Sequence, residues 1–287
     1  MSIAVTSYTN LLAFLLTIIF YYLALKPALS IDILQNSQAY ATFASTSYRY
    51  LAIFIGMVVG IQFLINIAVI SNKCGGAITQ NIAYAGFITF IPWLLIFGVL
   101  IAVMLMYPAF RAIFADVFGY YFIASSANKI LTELLINKEI QQQIDADTNP
   151  AITAQDRAKM QSAADMILKI CGNPSVLINQ LTPQNFMEYW RLLQPLMKPR
   201  YASDPVAAGD IQKQLFELIV TKDNVGEASW FIYTGVLIVS LVQMKIAARG
   251  CLNNAAAQQA NYAEFVAKEK EAADKRAQAQ STVYTMT

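Results

Sequence analysis

The 287-residue sequence contains no histidine. That removes the commonest general base and the commonest zinc ligand together. Charge is scarce too: Asp, Glu, Lys and Arg make up 13% of the chain, against about 25% in a soluble domain. The three cysteines, Cys74, Cys171 and Cys251, form no C-x-x-C pair and no disulfide framework. Asn173-Pro174-Ser175, the near miss to an N-glycosylation signal, is blocked by its proline. A net charge of +2 gives no electrostatic claim on nucleic acid. Asp145 and Asp147 lack the further ligands and turn glycine of a calcium loop. The expectation is a protein that is no enzyme, with no catalytic residues, no cofactor and no metal site.

What remains is apolar: 57% of the residues are hydrophobic, and the charges are absent from four blocks. A bilayer needs about 20 consecutive apolar residues per helical crossing. The first span is expected at roughly 8–25, where Lys26-Pro27 ends a charge-free run. A signal peptide would need a basic n-region, which is missing, so this segment is expected to stay as a span. The second span is expected at 50–70, the third at 83–107 and the fourth, a short one, at 228–244. No span carries a charge, which argues against ion-coupled transport and voltage sensing but leaves open a pore lined by neutral groups.

Details within the spans predict packing. Gly56 and Gly60 form a small-xxx-small face that lets a neighbouring helix approach. Gln62 and Asn66 lie one turn apart on another face, placed to hydrogen-bond to an adjacent span. Pro92 is expected to kink span three unless the helix starts there. Trp93 and Tyr107 suit an interfacial belt if they lie near span ends. Trp230, Phe231 and Tyr233 crowd the start of span four like an anchor at one surface.

The fold class is therefore all-α: a four-span transmembrane helical bundle with an α-helical extramembrane domain and a C-terminal helix. The divisions are 1–110 for three spans and their loops, 111–227 for the domain, 228–244 for span four and 245–287 for a helical tail. Within the domain, apolar spacing predicts a helix over 112–144, aromatic enough at its start to lie along the membrane surface. Thr153 to Asp156 resembles a capping box for a helix that Gly172 and Pro174 stop. Thr182-Pro183 reads as an N-cap with proline at the first helical position. A last domain helix is expected at 211–220. The tail, 251–280, is alanine-rich with a thin stripe of Tyr262, Phe265 and Val266, so it is either exposed or packed on a partner.

One stretch carries a resemblance. Pro92-Trp93-Leu94-Leu95-Ile96-Phe97-Gly98, then Tyr107-Pro108-Ala109-Phe110, then Phe114 and Phe118-Gly119-Tyr120, is similar to multi-span membrane proteins of large icosahedral DNA viruses, algal viruses among them. Those carry a P-W-x-x-I-F span followed by F-P-G-W-x-x-P-F-x-x-x-F-G-Y. Here Tyr107 replaces Phe, Ala109 the glycine, Phe110 the Trp and Ile113 the second proline. The resemblance covers about 30 residues. It implies a structural protein of an internal virion membrane, a minor capsid component anchoring or organising the shell. Its partners would be the lipid bilayer, other capsid or membrane proteins and further copies of itself. It would reside in host internal membranes during assembly. Tyr107, Pro108, Phe110, Phe114, Phe118, Gly119 and Tyr120 would dock on the partner layer; as residues alone, they read equally as interfacial anchors.

The alternatives are a four-span channel or pore, a tetraspanin-like organiser and a membrane enzyme. Large-pore channels pair cysteines in their extracellular loops, and the loop from Lys26 to Arg49 has none. Tetraspanins carry Cys-Cys-Gly where this chain has only Cys171-Gly172. No nucleophile or acid–base set points to an enzyme. Cys74 and Cys251 each follow a span end beside a basic residue, on one membrane face, and are candidates for lipidation or for a mutual disulfide. Four crossings place both termini on one side and the 111–227 domain on the other. Protease treatment of sealed vesicles should therefore cleave the domain and the tail from opposite sides; cleavage of both from the same side would refute the four-span topology.

Overall fold

The computed structural model describes residues 7–74, 78–135, 174–248 and 255–281. Among them every regular element is helical, with one isolated bridge between Leu135 and Met197. The elements are α1 (Ser7–Phe20), α2 (Ile31–Gln35), α3 (Ser37–Cys74), α4 (Ile78–Phe90), α5 (Gly98–Met106), α6 (Pro108–Phe114), α7 (Tyr120–Leu134), α8 (Pro174–Gln180), α9 (Phe186–Leu193), α10 (Pro199–Ser203), α11 (Pro205–Ala248) and α12 (Ala255–Ser281). Wide π turns continue α1 through Tyr21–Leu25, join α4 to α5 through Ile91–Phe97, and join α6 to α7 through Ala115–Gly119. Four helical stretches are long and apolar enough to cross a membrane: Tyr8–Leu25, Ser37–Cys74, Thr79–Met106 and Pro205–Ala248. The chain is thus an integral membrane protein in class. The capping-box helix, Asp145, Asp147, Cys171 and Cys251 lie outside the described residues.

Two hydrophobic cores form. The first fills the span bundle with Phe14, Phe54, Trp93, Phe97 and Phe231, all nearly or fully buried. Their rings meet in tilted and edge-on pairs, 5.2 Å for Phe14–Trp93 and 5.3 Å for Trp93–Phe97. Trp93 is 0% exposed, so it is a mid-bundle filler and not an interfacial anchor. Trp230 and Phe231 are likewise buried, and of that trio only Tyr233 points outward. The reason is helical phase: Tyr233 follows Trp230 and Phe231 by an amount that turns it away from the bundle axis. Pro92 neither starts nor breaks the third span. The π turn around it absorbs the missing N–H, and the helical path runs on to Met106.

The second core gathers α7, α8, α9 and the first half of α11 around Leu131, Ile178, Phe186, Trp190, Leu215 and Phe216. Here three boundaries differ from expectation. The helix expected over 112–144 stops at Leu134, because Leu135 turns to extended backbone and Leu134 O accepts a bond from Lys198 N. Thr182 does not cap a helix at Pro183. It exchanges hydrogen bonds with Asn185 across a turn, and α9 starts at Phe186. The domain's last helix and the fourth span are one element, the 44-residue α11. At 1.5 Å per residue it is about 66 Å long, twice the thickness of a bilayer's hydrocarbon.

Inside the bundle, polar side chains tie three spans together. Asn10 Nδ2 donates to Asn66 Oδ1 at 2.9 Å, Asn66 Nδ2 donates to Thr89 Oγ1 at 2.8 Å, and Gln62 Nε2 donates to the Asn10 carbonyl at 2.8 Å. All four residues are buried. With little water and an apolar solvent on all sides, such groups are stable only when they satisfy one another. Interhelical hydrogen bonds in membranes average about 0.6 kcal/mol and reach about 1.7. Asn66→Leu removes two of them and strands Asn10, so it should cost about 1–2 kcal/mol. Unfolding in detergent checks this; an unchanged midpoint would show the network to be dispensable.

Candidate functional site: the junction between membrane and domain

Where α11 leaves the bundle, charges reappear and each is paired. Lys26 Nζ donates to Glu227 Oε2 at 2.6 Å, Arg111 Nε meets Asp223 Oδ1 at 3.0 Å, and Arg111 also lies 4.0 Å from Glu227. Lys222, 2% exposed at its side chain, reaches Asp116 Oδ1 at 3.0 Å and donates to the Ile178 carbonyl at 3.0 Å. Lys26 also sits over the Tyr22 ring, 4.8 Å from its centroid. A cleft lined by Tyr40, Phe43, Tyr48, Arg111, Asp223 and Glu227 opens beside this layer, between the projecting start of α3 and the domain.

The partner of α11 is the chain leaving span three. Tyr107 breaks helical geometry (φ −124°, ψ 86°) and Pro108 starts α6 at its first position, where a missing N–H costs nothing. From there α6, the π turn and α7 run antiparallel to α11, so Phe114 meets Tyr233, Ala115 meets Gly226, and Gly119 meets Lys222. Two glycines make this approach possible. A Cβ on Gly119 would strike the Lys222 carbonyl, and one on Gly226 would strike the Ala115 backbone. Neither obstacle is a side chain that can swing away.

Of the residues expected to dock, the structure separates two groups. Gly119 is buried in the α11 contact and cannot face a partner. Phe114 is half-buried between Phe118 at 5.9 Å and Tyr233 at 5.8 Å, and Tyr120 packs against the domain core. Tyr107, Phe110 and Phe118 are outward and exposed, with Tyr107 and Phe110 edge-on at 6.4 Å, and Pro108 is exposed as well. The structure adds Ile113, Val117, Tyr121 and Phe122, with Tyr121 87% and Phe122 70% exposed. The spacing 110, 113, 117, 118, 121, 122 is one helical face. That periodicity is present in the sequence, where it reads as a helix start lying along the membrane surface. In this protein Arg111 and Asp116 turn inward and the aromatics turn out.

Gly56 and Gly60 are not packing contacts within the chain: a Cβ at either would meet nothing within 4 Å. Their face points away from the bundle because Phe54 and Val58 occupy the inward positions. The glycine at a helix crossing is Gly235, which lies against the Phe14 ring. Gln62 and Asn66 form the polar ties described above. Cys74 is disulfide-bonded, so its sulfur is closed to lipidation. Among the described residues no group of His, Cys, Asp and Glu could hold a metal ion.

Comparison with known proteins finds no matching family, no matching curated protein and no matching solved structure.

The glycine assignments are directly testable. Gly119→Val and Gly226→Val should each lower stability by about 1–3 kcal/mol or more through overpacking. Gly56→Ala and Gly60→Ala should be neutral, or stabilising by up to about 1 kcal/mol through helix propensity. Thermal unfolding of the four variants in one detergent checks the contrast; the reverse ranking would refute it.

Proposed function

We propose that this protein is a structural scaffold: an integral membrane protein that holds a protein layer at a fixed distance and angle from a bilayer. The observation that carries the reading is the outward aromatic stripe of α6 and α7, on a segment whose Arg111 and Asp116 turn toward α11. Phe118, Tyr121 and Phe122 follow Arg111 and Asp116 along the chain toward the second core and are exposed at the protein's surface. Exposed apolar side chains of this size on one rigid face mark protein contact surfaces. The continuity of α11 makes the mount stiff, because no hinge separates the domain from its anchor.

The resemblance of the 92–120 region to membrane proteins of icosahedral DNA viruses gives this scaffold its setting: an internal virion membrane, with the chain as a minor capsid component beneath the shell. A channel is the weaker reading. The bundle axis is occupied by Phe14, Phe54, Trp93, Phe97 and Phe231, so conduction would have to arise between copies.

Replacing Phe118, Tyr121 and Phe122 together by serine tests the scaffold. Apolar anchors at interfaces cost about 1–2 kcal/mol or more each when removed, so association with the partner layer should weaken at least about tenfold. Membrane insertion and the detergent melting midpoint should stay at the parent level. Undiminished assembly into membrane-bound particles would overturn the reading.

A further inference from the structure

We infer that the cleft beside the ion-pair layer binds the zwitterionic headgroup of a phospholipid, a phosphate joined to an ammonium. Two cations, Lys26 and Arg111, and two anions, Asp223 and Glu227, line that cleft. None of these side chains is more than 18% exposed. Their charges sum to zero, so an ion of one sign alone meets as many like charges as opposite ones. The pairing among them is incomplete. Lys26 holds one Glu227 oxygen, Oε2, and Arg111 Nε holds one Asp223 oxygen, Oδ1. Arg111 Nη1 stands 4.0 Å from Glu227, beyond hydrogen-bond reach. The outer guanidinium nitrogens, Asp223 Oδ2 and Glu227 Oε1 make no hydrogen bond to any described residue. A guanidinium fork matches a phosphate, and carboxylate oxygens match an ammonium.

The walls supply what an amphiphile needs besides charge. Tyr40 and Phe43, neighbours on α3 with ring centroids 6.2 Å apart, form one side. Aromatic rings attract ammonium groups. Leu51 and Leu105, from the helices of spans two and three, add apolar contacts for the chain end of the ligand. Lys26 and Arg111 are the first charges after the apolar runs of spans one and three, and Glu227 is the last before that of span four. All three line the cleft, which therefore stands at the level where hydropathy ends the membrane core. Its cavity is about 160 Å³, similar to one that takes a single benzene-sized group. That suits a small ammonium group and not an inositol or sugar headgroup.

Two rivals share part of this chemistry. An anionic lipid would bring a phosphate to Arg111 and nothing to Asp223 and Glu227, whose second oxygens it would face with like charge. A soluble phosphodiester carrying an ammonium has the same polar groups as the lipid but leaves Leu51 and Leu105 without an apolar partner. The level of the cleft and its apolar contacts favour the lipid.

Full-length protein in a maltoside detergent, given equal amounts of phosphatidylcholine, phosphatidylethanolamine and phosphatidylglycerol, provides the test. Native mass spectrometry should show one retained lipid per chain, with the two zwitterionic lipids preferred over the anionic one by at least about tenfold. Tyr40→Ser combined with Phe43→Ser should lower that retention about tenfold. The melting midpoint of this variant should match the parent, because neither ring belongs to a hydrophobic core. Arg111→Gln combined with Asp223→Asn removes one cation and one anion together and should also lower retention. Glycerophosphocholine in millimolar excess should leave the lipid in place. The inference is overturned by no retained lipid, by phosphatidylglycerol retained equally or better, by undiminished retention in the Tyr40, Phe43 variant, or by displacement with glycerophosphocholine. The lipid preference is read on the unaltered protein, so misfolding of a variant cannot produce it, and no readout depends on docking to a partner layer.

Discussion

A single helix has to live in two solvents. The first half of α11 is a core element of a water-exposed domain, and its second half is a membrane span. The passage between them is possible because every charge at the exit is answered: Glu227 by Lys26, Asp223 by Arg111, and Lys222 by Asp116 and the end of α8. An unpaired charge buried at this depth would cost several kcal/mol. Paired, the same groups hold span one, the exit of span three and the domain to one helix. The positions of both cores follow from this layer, since residues on either side of it are phased by a continuous helical repeat.

The second consequence is an inversion of amphipathicity. The α6–α7 segment satisfies α11 with its polar and small residues, Arg111, Ala115, Asp116 and Gly119, and so must present its aromatics elsewhere. Tyr107, Phe110 and Ile113 adjoin the end of span three, and a membrane interface accepts aromatic side chains. Phe118, Tyr121 and Phe122 continue the same exposed stripe toward the second core. The surface proposed for docking is therefore a by-product of how the junction is packed.

The C-terminal α12 stands apart from this logic. Its described side chains are exposed, and its pairs Glu264–Lys268 and Glu271–Lys275 are one turn apart on the helix itself. It supports its own helicity locally and contributes to neither core.

Composition and hydropathy by themselves determined the class of this protein: all-α, four spans, one large helical insertion, because apolar runs of bilayer length and helical spacing are local properties of the chain. They also marked Gln62 and Asn66 as interhelical donors, since a polar group in a span must be satisfied. Tertiary structure alone decided which face of each helix turns inward. Gly56 and Gly60 look like a packing motif, yet the crossings fall at Gly119, Gly226 and Gly235, because close approach depends on what lies opposite and not on the glycine. Trp230 reads as an anchor at the start of span four, and Trp93 would be one only at a span end; both are core, because phase within a long helix is set by its neighbours. The fusion of domain and span into α11 was hidden behind Asp223 and Glu227, which look like the end of a membrane helix until their partners from Lys26 and Arg111 are seen beside them. Pairings between residues roughly a hundred or two hundred positions apart are long-range, and no local pattern encodes them.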